Sequence, residues 1–321
     1  MKISGFTMGK NASKLYYPVK QAIMSILPIV DEFVIALGDN DKDDKTREEI
    51  LSIGSEKIKI IDTVWDIVKY PRGMEHAHQT DIAKAHCSGD WLFYVQSDEV
   101  IHEKYLPVIK KRCEELLPHH EVEGLLFKYI HFWGDYYHFQ DGHCWYRKEI
   151  RIIRNDPDIH SWESAQSFRK IPGFDGQNYR IQKGTYKLKV AEVDAYVYHY
   201  GWVRPPRLMS NKMRAFRINH HGKENVEKQD HYKLYENLYD YGNLSALPEF
   251  SGTHPAVMKE WIEQFNWKDQ LRFSGPARTL NPLINKHDKL KYRTISWIEK
   301  NLLCNRRLGE FKNYELISFN D

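Results

Sequence analysis

The stretch WLFYVQSDE, residues 91–99, decides how this chain is read. Its first five residues are uniformly apolar and too few for a helix, the pattern of a strand buried on both faces. The run then ends abruptly in Gln96, Ser97, Asp98 and Glu99. Carboxylates at the end of a buried strand need a reason to be there. A divalent cation bridging them to a diphosphate supplies one, because hard oxygen ligands suit Mg²⁺ or Mn²⁺. The plainer alternative is a turn in which Ser97 or Asp98 caps the next helix.

Working outward, short apolar runs alternate with helical spacing. Residues 2–7, 33–37, 57–62 and 91–95 read as strands. Residues 11–29, 46–53, 79–85 and 105–117 read as helices, the first with Leu15, Val19, Ala22, Ile23 and Ile26 on one face. This alternation predicts a mainly parallel twisted sheet flanked by helices. Ligands of such sheets sit beyond the carboxyl ends of the strands, which singles out the loops at 7–11, 38–44 and 96–99. The second of these carries Asp39, Asp41, Asp43 and Asp44. A carboxylate there can accept hydrogen bonds from a ribose or a base edge, or the cluster is simply solvated. Residues 124–132 and 145–154 are β-rich and flank an aromatic loop, and 187–200 reads as two strands. Beyond Arg207 the pattern is mostly helical, ending in an amphipathic segment at 289–303.

Composition narrows the classes. The 321 residues suit one large domain or two small ones, and 41% hydrophobic content without low-complexity tracts marks a folded chain. Net charge is +3, but residues 201–321 alone carry 20 Lys and Arg against 14 Asp and Glu. That mild bias suits a phosphate-bearing ligand or an anionic membrane surface and is too weak for nucleic acid. Cys87, Cys113, Cys144 and Cys304 form no CxxC pair and read as free thiols of a reducing compartment. The histidines show no spacing that converges on zinc. No signal peptide or membrane span is evident, so the expected location is cytoplasmic, with a peripheral contact at the inner face of the membrane left open.

Taken in order, KISGFTMGKN, EFVIALGDNDKDDKT and AKAHCSGDWLFYVQSDEV resemble a family 2 glycosyltransferase with the GT-A fold, of the bacterial cell-surface glycan type. The likeness covers about the first 100 residues and extends more loosely to about residue 217. It implies a nucleotide-diphospho-sugar transferase domain over 1–217 and a mostly helical extension over 218–321 packing on it. It also implies that Phe6 and Thr7 line the nucleotide pocket, that Asp39 contacts the nucleotide, and that Asp98 is the second Asp of a D-x-D motif and ligates the metal. Gln96 stands where the first Asp is expected and brings no charge. Together with Ser97 it falls to the nucleotide sugar, and metal ligation shifts towards Asp98, Glu99 and a histidine.

Inverting transfer needs a carboxylate to take the acceptor hydroxyl's proton. After the strand WYRKEIRIIRN comes DPDIHSWESAQSF, in which Glu163 is the first choice of base and Asp158 the second. Trp162 beside Glu163 would raise its pKa by desolvation. Each carboxylate is otherwise an ordinary loop residue. In the segment HYGWVR the resemblance makes His199 a metal or diphosphate ligand. Arg204, Lys212 and Arg214 would close over phosphates, and Arg72 or His76 would lie near the nucleotide. The aromatic loop FWGDYYHF either stacks on acceptor sugars or packs a core, and the 289–303 segment either rests on a membrane or packs on the domain.

The expected function is therefore transfer of a sugar from a nucleotide-diphosphate donor to a glycan or lipid-linked acceptor, with inversion and with Mg²⁺ or Mn²⁺. Two alternatives stand beside it: a sugar nucleotidyltransferase, and a binding protein for glycans or nucleotide sugars with impaired catalysis.

Overall fold

The computed structural model describes residues 1–228, 238–281, 285–309 and 312–318. Strand β1 (Ile3–Gly9) leads to α1 (Val19–Ile26), β2 (Glu32–Leu37), α2 (Thr46–Leu51), β3 (Ile58–Asp62), α3 (Met74–Ala85) and β4 (Trp91–Tyr94). Then come β5 (Glu99–Ile101), α4 (Leu106–Leu116), β6 (Gly124–Trp133), β7 (Phe139–Gln140), β8 (Lys148–Arg154), β9 (Ile159–Trp162), β10 (Ser167–Lys170) and β11 (Tyr186–Trp202). The described remainder adds α5 (Pro206–His221), α6 (Lys223–Lys228), α7 (Lys259–Glu263), α8 (Leu290–Asn301) and β12 (Tyr314–Leu316).

The sheet runs in the order β3-β2-β1-β4-β8-β6-β11-β10-β9. Strands β3, β2, β1 and β4 are mutually parallel, β8 is reversed, and β6 pairs parallel with β11. This is the mainly parallel, helix-flanked sheet that the alternation of strands and helices predicts. Side-chain alternation sends Trp91, Phe93 and Val95 to one face and Leu92 and Tyr94 to the other. Helices α1 and α4 fill the first face through Val19, Ile23, Ile26, Ile109 and Leu116. Helix α3 and the β9–β10 hairpin cover the second through Ala83, Ile159 and Phe168. Each such side chain larger than alanine contributes roughly 1.5–3 kcal/mol of transfer free energy.

Three expectations change here. Residues 187–200 belong to one long strand, β11, broken only by register shifts opposite β6. The chain beyond 218 is helical in short pieces, joined by irregular chain and anchored by rings. Phe132, Trp133 and Tyr136 of the aromatic loop are buried with Leu244, Met258, Trp267 and Leu271, so this loop packs a core. Trp133 Nε1 donates to the Tyr241 carbonyl at 2.8 Å, and Trp267 Nε1 to that of Gly134 at 2.9 Å. The third change concerns α8. Its buried residue is Glu299, which accepts from His143 Nδ1 at 2.6 Å and from Arg307 Nη1 at 2.8 Å, whereas Leu290 and Trp297 are exposed. Spacing alone sees an apolar stripe and cannot see an ion pair closed across distant chain. No helix among the described residues is long and apolar enough to cross a membrane.

Candidate functional site

The carboxyl ends of β1, β2 and β4 come level with one another. Gly9 faces Leu37, Phe6 faces Tyr94, and the Gly38 amide donates to the Gly9 carbonyl at 2.8 Å. The chain leaving this edge carries Lys10, Asp39 and Gln96 to Asp98. Asp39 accepts from Lys10 Nζ at 2.8 Å and from the Trp65 amide at 2.9 Å. Burial pushes its carboxyl up, but these donors outweigh it and hold the pKa below the usual range. The Trp65 indole lies so close over Gly38 that a Cβ there would meet Nε1 at 2.5 Å, so only glycine fits.

Asp98 is the centre of the site. Its backbone carbonyl accepts from the Tyr200 amide at 2.8 Å, which joins the strand end to β11. His199 Nε2 lies 3.6 Å and Lys212 Nζ 3.7 Å from Asp98 Oδ2. Burial works to raise the Asp98 pKa, but His199, Lys212 and Arg204 together hold it far below the usual carboxylate range. Lys212 pays the converse penalty. Burial, reinforced by Arg204, brings its pKa down to about 7 against the attraction of Asp98.

A bulge creates this geometry. Strand β11 pairs His199 with His131 and then Trp202 with Trp133, so it carries one residue more than β6 between the two pairs. Bulges re-aim side chains and frequently border functional sites. Gly201 lies within the bulge, and a Cβ there would come within 2.5 Å of both Asp98 Oδ2 and His199 Nε2. The Gly201 carbonyl accepts from Lys212 Nζ and from Arg204 Nη2, the latter at 3.0 Å.

Other expected residues are placed as follows. Phe6 is fully buried between Tyr94 and Phe168, because its position in β1 points into the sheet core and away from any nucleotide. Thr7 is buried too, with its hydroxyl 3.4 Å from the Met8 carbonyl. Ser97 Oγ donates to that same carbonyl at 3.3 Å. Arg72 is exposed at a positive φ of 60° immediately before α3. His76 packs edge-on against Trp65, and burial lowers its pKa to about 4. Arg204 does not reach out to phosphates. It is fully buried, donates to the Leu15 and Gly201 carbonyls and lies 4.5 Å over the Tyr17 ring.

Gln96 Nε2 donates to the Ala165 carbonyl at 2.9 Å, so it ties the 163–166 turn to the strand end. Glu163 opens that turn at a φ of 57°, with Arg180 3.6 Å from its carboxylate. The Trp162 ring lies 4.4 Å from the Arg169 guanidinium. Asp158 lies at the opposite edge. Strand β8 is antiparallel to β4, so its exit at Arg154 sits beside Trp91, where β4 begins. Asp158 therefore belongs to a turn bound to Asp156, near Lys84 and Lys170, and cannot serve this site.

Glu99 is the other correction. It forms a bidentate pair with Arg151, at 2.7 Å to both Nε and Nη2, and accepts from Tyr129 Oη at 2.8 Å and the Gln96 amide at 3.1 Å. With every lone pair engaged it is no metal ligand. Sequence reasoning also passed over Arg151, Gly201 and His131. The available signal was polar residues inside apolar strands, EIRII and YIHFW.

Among the described residues no three His, Cys, Asp or Glu side chains gather as a metal centre. Asp98 and His199 nonetheless offer a pair of donors of the kinds that divalent cations accept. They are one hard oxygen and one imidazole nitrogen, 3.6 Å apart, with the Cβ position of Gly201 between them empty of side chain.

No protein-family model matches the chain, and no curated protein matches it. Among solved structures it is similar to glucosyl-3-phosphoglycerate synthase from Mycobacterium tuberculosis in complex with Mn²⁺, uridine diphosphate and phosphoglyceric acid. Identity is 20% over 40% of this chain and 43% of that one, with a TM-score of 0.28. It is similar also to S. aureus TarS, at 17% identity over 71% of this chain and 41% of that one, with a TM-score of 0.37. The chain spans less than half the length of either structure.

Proposed function

We propose that this protein is a glycosyltransferase moving a sugar from a nucleotide-diphosphate donor to a hydroxyl of a glycan or lipid-linked acceptor, with inversion. The observation that carries this reading is the cluster of Asp98, His199 and Lys212 at the carboxyl edge of β4, level with Asp39. In this reading residues 1–217 bind the donor, and the chain beyond packs on them. Asp39, Ser97 and Arg72 border the nucleotide. Asp98 and His199 would hold a Mg²⁺ or Mn²⁺ ion, which would supply positive charge to the diphosphate leaving group. Lys212, its pKa brought down to about 7, donates a hydrogen bond at the same place. Glu163, two residues from the Ala165 carbonyl that Gln96 holds, takes the proton of the acceptor hydroxyl. The acceptor oxygen then bonds to the anomeric carbon as the bond to the diphosphate oxygen breaks, and the nucleoside diphosphate leaves.

The test is a panel of nucleotide sugars offered to purified protein with Mn²⁺. Melting temperature and nucleoside diphosphate release are followed for wild type, Asp98→Ala and Glu163→Gln. Binding to the folded state raises the melting temperature by mass action. One donor should stabilise the wild type, Glu163→Gln should keep that stabilisation and lose turnover, and Asp98→Ala should lose both. A panel in which no nucleotide sugar binds or reacts overturns the reading.

A further inference from the structure

A cavity of about 290 Å³ opens in a part of the chain that the donor site does not use. Helix α8 supplies Arg293, Trp297 and Lys300 to its wall, spaced four and three residues apart and so on one face. The chain at 277–279 supplies Arg278, and the end of β7 with the turn after it supplies Gln140 and Asp141. These walls are tied together. The His143 amide donates to Ser296 Oγ of α8 at 2.9 Å, Arg307 Nη2 donates to the Gly142 carbonyl at 2.9 Å, and Thr279 Oγ1 donates to Asp288 at 2.5 Å. Behind the cavity His287 stands edge-on to Trp133 at 5.0 Å and packs on Trp145 at 5.9 Å. Trp145 in turn lies 5.1 Å from the His131 ring, and His131 lies 5.0 Å from that of His199. A layer of rings therefore separates this cavity from the strand-end site.

The cationic side chains of this region fall into two kinds. Arg272 holds both carboxylate oxygens of Asp240 at 3.0 Å, Arg307 donates to Glu299 at 2.8 Å, and Lys300 reaches Asp141 at 2.7 Å. Arg278 and Arg293 border the cavity and make no side-chain hydrogen bond or ion pair with any described residue. The carboxylates on the wall are already engaged, Asp141 by Lys300 and Asp288 by Thr279. Two guanidinium groups around one small cavity repel each other, and an anion between them turns that repulsion into attraction. Each guanidinium presents paired donors that match a carboxylate or a phosphate. Trp297 is 58% exposed beside them, and an open indole face suits the C–H face of a sugar ring. Gln140 adds a neutral amide, a donor and acceptor for hydroxyls. The volume lies near the lower end of small-molecule sites, which span roughly 300–1,000 Å³. A bilayer takes up a protruding apolar face, whereas this wall is hollow and edged with charge.

We infer that this cavity binds an acidic saccharide, a sugar bearing a carboxylate or a phosphate, through Arg278 and Arg293 with its ring against Trp297. In making that saccharide part of the acceptor the inference rests on the transferase reading, but the binding itself needs neither Asp98 nor His199 nor a metal.

The experiment is calorimetry on the full chain without metal. Digalacturonate and glucose 6-phosphate are compared with lactose, inorganic phosphate and phosphatidylglycerol vesicles. The variants are Arg278→Gln with Arg293→Gln, and Trp297→Ala. All three side chains are exposed, so melting temperatures should stay near that of the wild type. One of the two acidic saccharides should bind the wild type roughly 10-fold or more tighter than lactose or phosphate, and which of them does so tells carboxylate from phosphate. The double variant should weaken that binding by roughly 10–100-fold, and Trp297→Ala by roughly 3–10-fold. Stabilisation by a nucleotide sugar should be kept in both. Lactose or phosphate binding as tightly as the acidic saccharides, or an affinity that the double variant leaves unmoved, overturns the inference. So does a wild type that binds neither acidic saccharide, including one that instead binds vesicles through the two arginines. If the double variant melts early, the single Arg278→Gln and Arg293→Gln variants are read in the same way. Acidic-saccharide binding by a chain that binds no nucleotide sugar upholds the cavity site and overturns the transferase reading.

Discussion

Asp98 and Glu99 are neighbours in sequence, both are buried carboxylates, and they live in opposite electrostatic conditions. Glu99 is saturated: two guanidinium nitrogens, a phenol and a backbone amide occupy its lone pairs at hydrogen-bond distance. Asp98 is surrounded by positive charge, yet its side-chain partners His199 and Lys212 stop at 3.6 and 3.7 Å. A buried carboxylate with its hydrogen bonds complete is part of the framework. One that is charged, buried and short of close donors is poised for a ligand. Burial alone does not separate the two, but the distances to their partners do.

The largest expected effect breaks the saturated member. Arg151→Leu leaves the Glu99 carboxylate without its partner in the core, and should cost about 3–5 kcal/mol in urea unfolding. The double variant Arg151→Leu with Glu99→Leu should recover part of that loss, because no buried charge is left alone. A double variant as unstable as the single one would mean that packing, not charge, dominates there.

The next effect falls on the poised member. Asp98→Asn should lower sugar-transfer turnover by on the order of 10²-fold. Its unfolding free energy should fall by less than that of Arg151→Leu, because Lys212, whose pKa burial already brings down to about 7, can shed its proton once the carboxylate is gone. A stability loss as large as that of Arg151→Leu would erase the distinction between the two carboxylates.

A third, smaller effect sharpens the rule with a neutral group. His254 is satisfied at both nitrogens. Nε2 lies 2.9 Å from the Tyr136 carbonyl and so donates, and Nδ1 accepts from Tyr200 Oη at 2.7 Å. Burial lowers its pKa to about 4 from the ordinary 6.5. The folded state therefore binds fewer protons than the unfolded chain between these values, and stability falls as the pH drops from about 6.5 through about 4. The contribution should be about 1–2 kcal/mol over that window, after allowance for partial exposure. Chemical denaturation across the window should show it in the wild type, and His254→Gln should flatten the slope.

Much of this was legible in the chain itself. Residues 91–95 declare a buried strand, and the polar break after them marks the edge where Asp98 sits. HYGWVR contains both His199 and the glycine that makes room beside it. What local pattern could not supply was direction and register. Asp158 looks like a site residue until β8 is known to run backwards, which carries the loop after it to the far edge. The resemblance makes Phe6 pocket lining, yet alternation turns its ring inward. His131 meets His199 across 68 residues of chain, and only strand pairing and a bulge bring the two rings together. Glu299 breaks the apolar reading of α8 for the same reason, since its partners lie at His143 and Arg307.

Strand β12 has a consequence for how the molecule is made. It pairs with Leu188 to Val190 of β11, yet it is synthesised well over a hundred residues after them. At ribosomal speeds of roughly 5–20 residues per second, the first stretch of β11 waits on the order of ten seconds for that neighbour. An open strand edge is an invitation to pair with another nascent chain. Here Lys187 and Lys189 alternate with Leu188 and Val190 along that stretch. Their charges repel a like edge from a second copy, so the lysines guard the wait as well as decorating the finished surface.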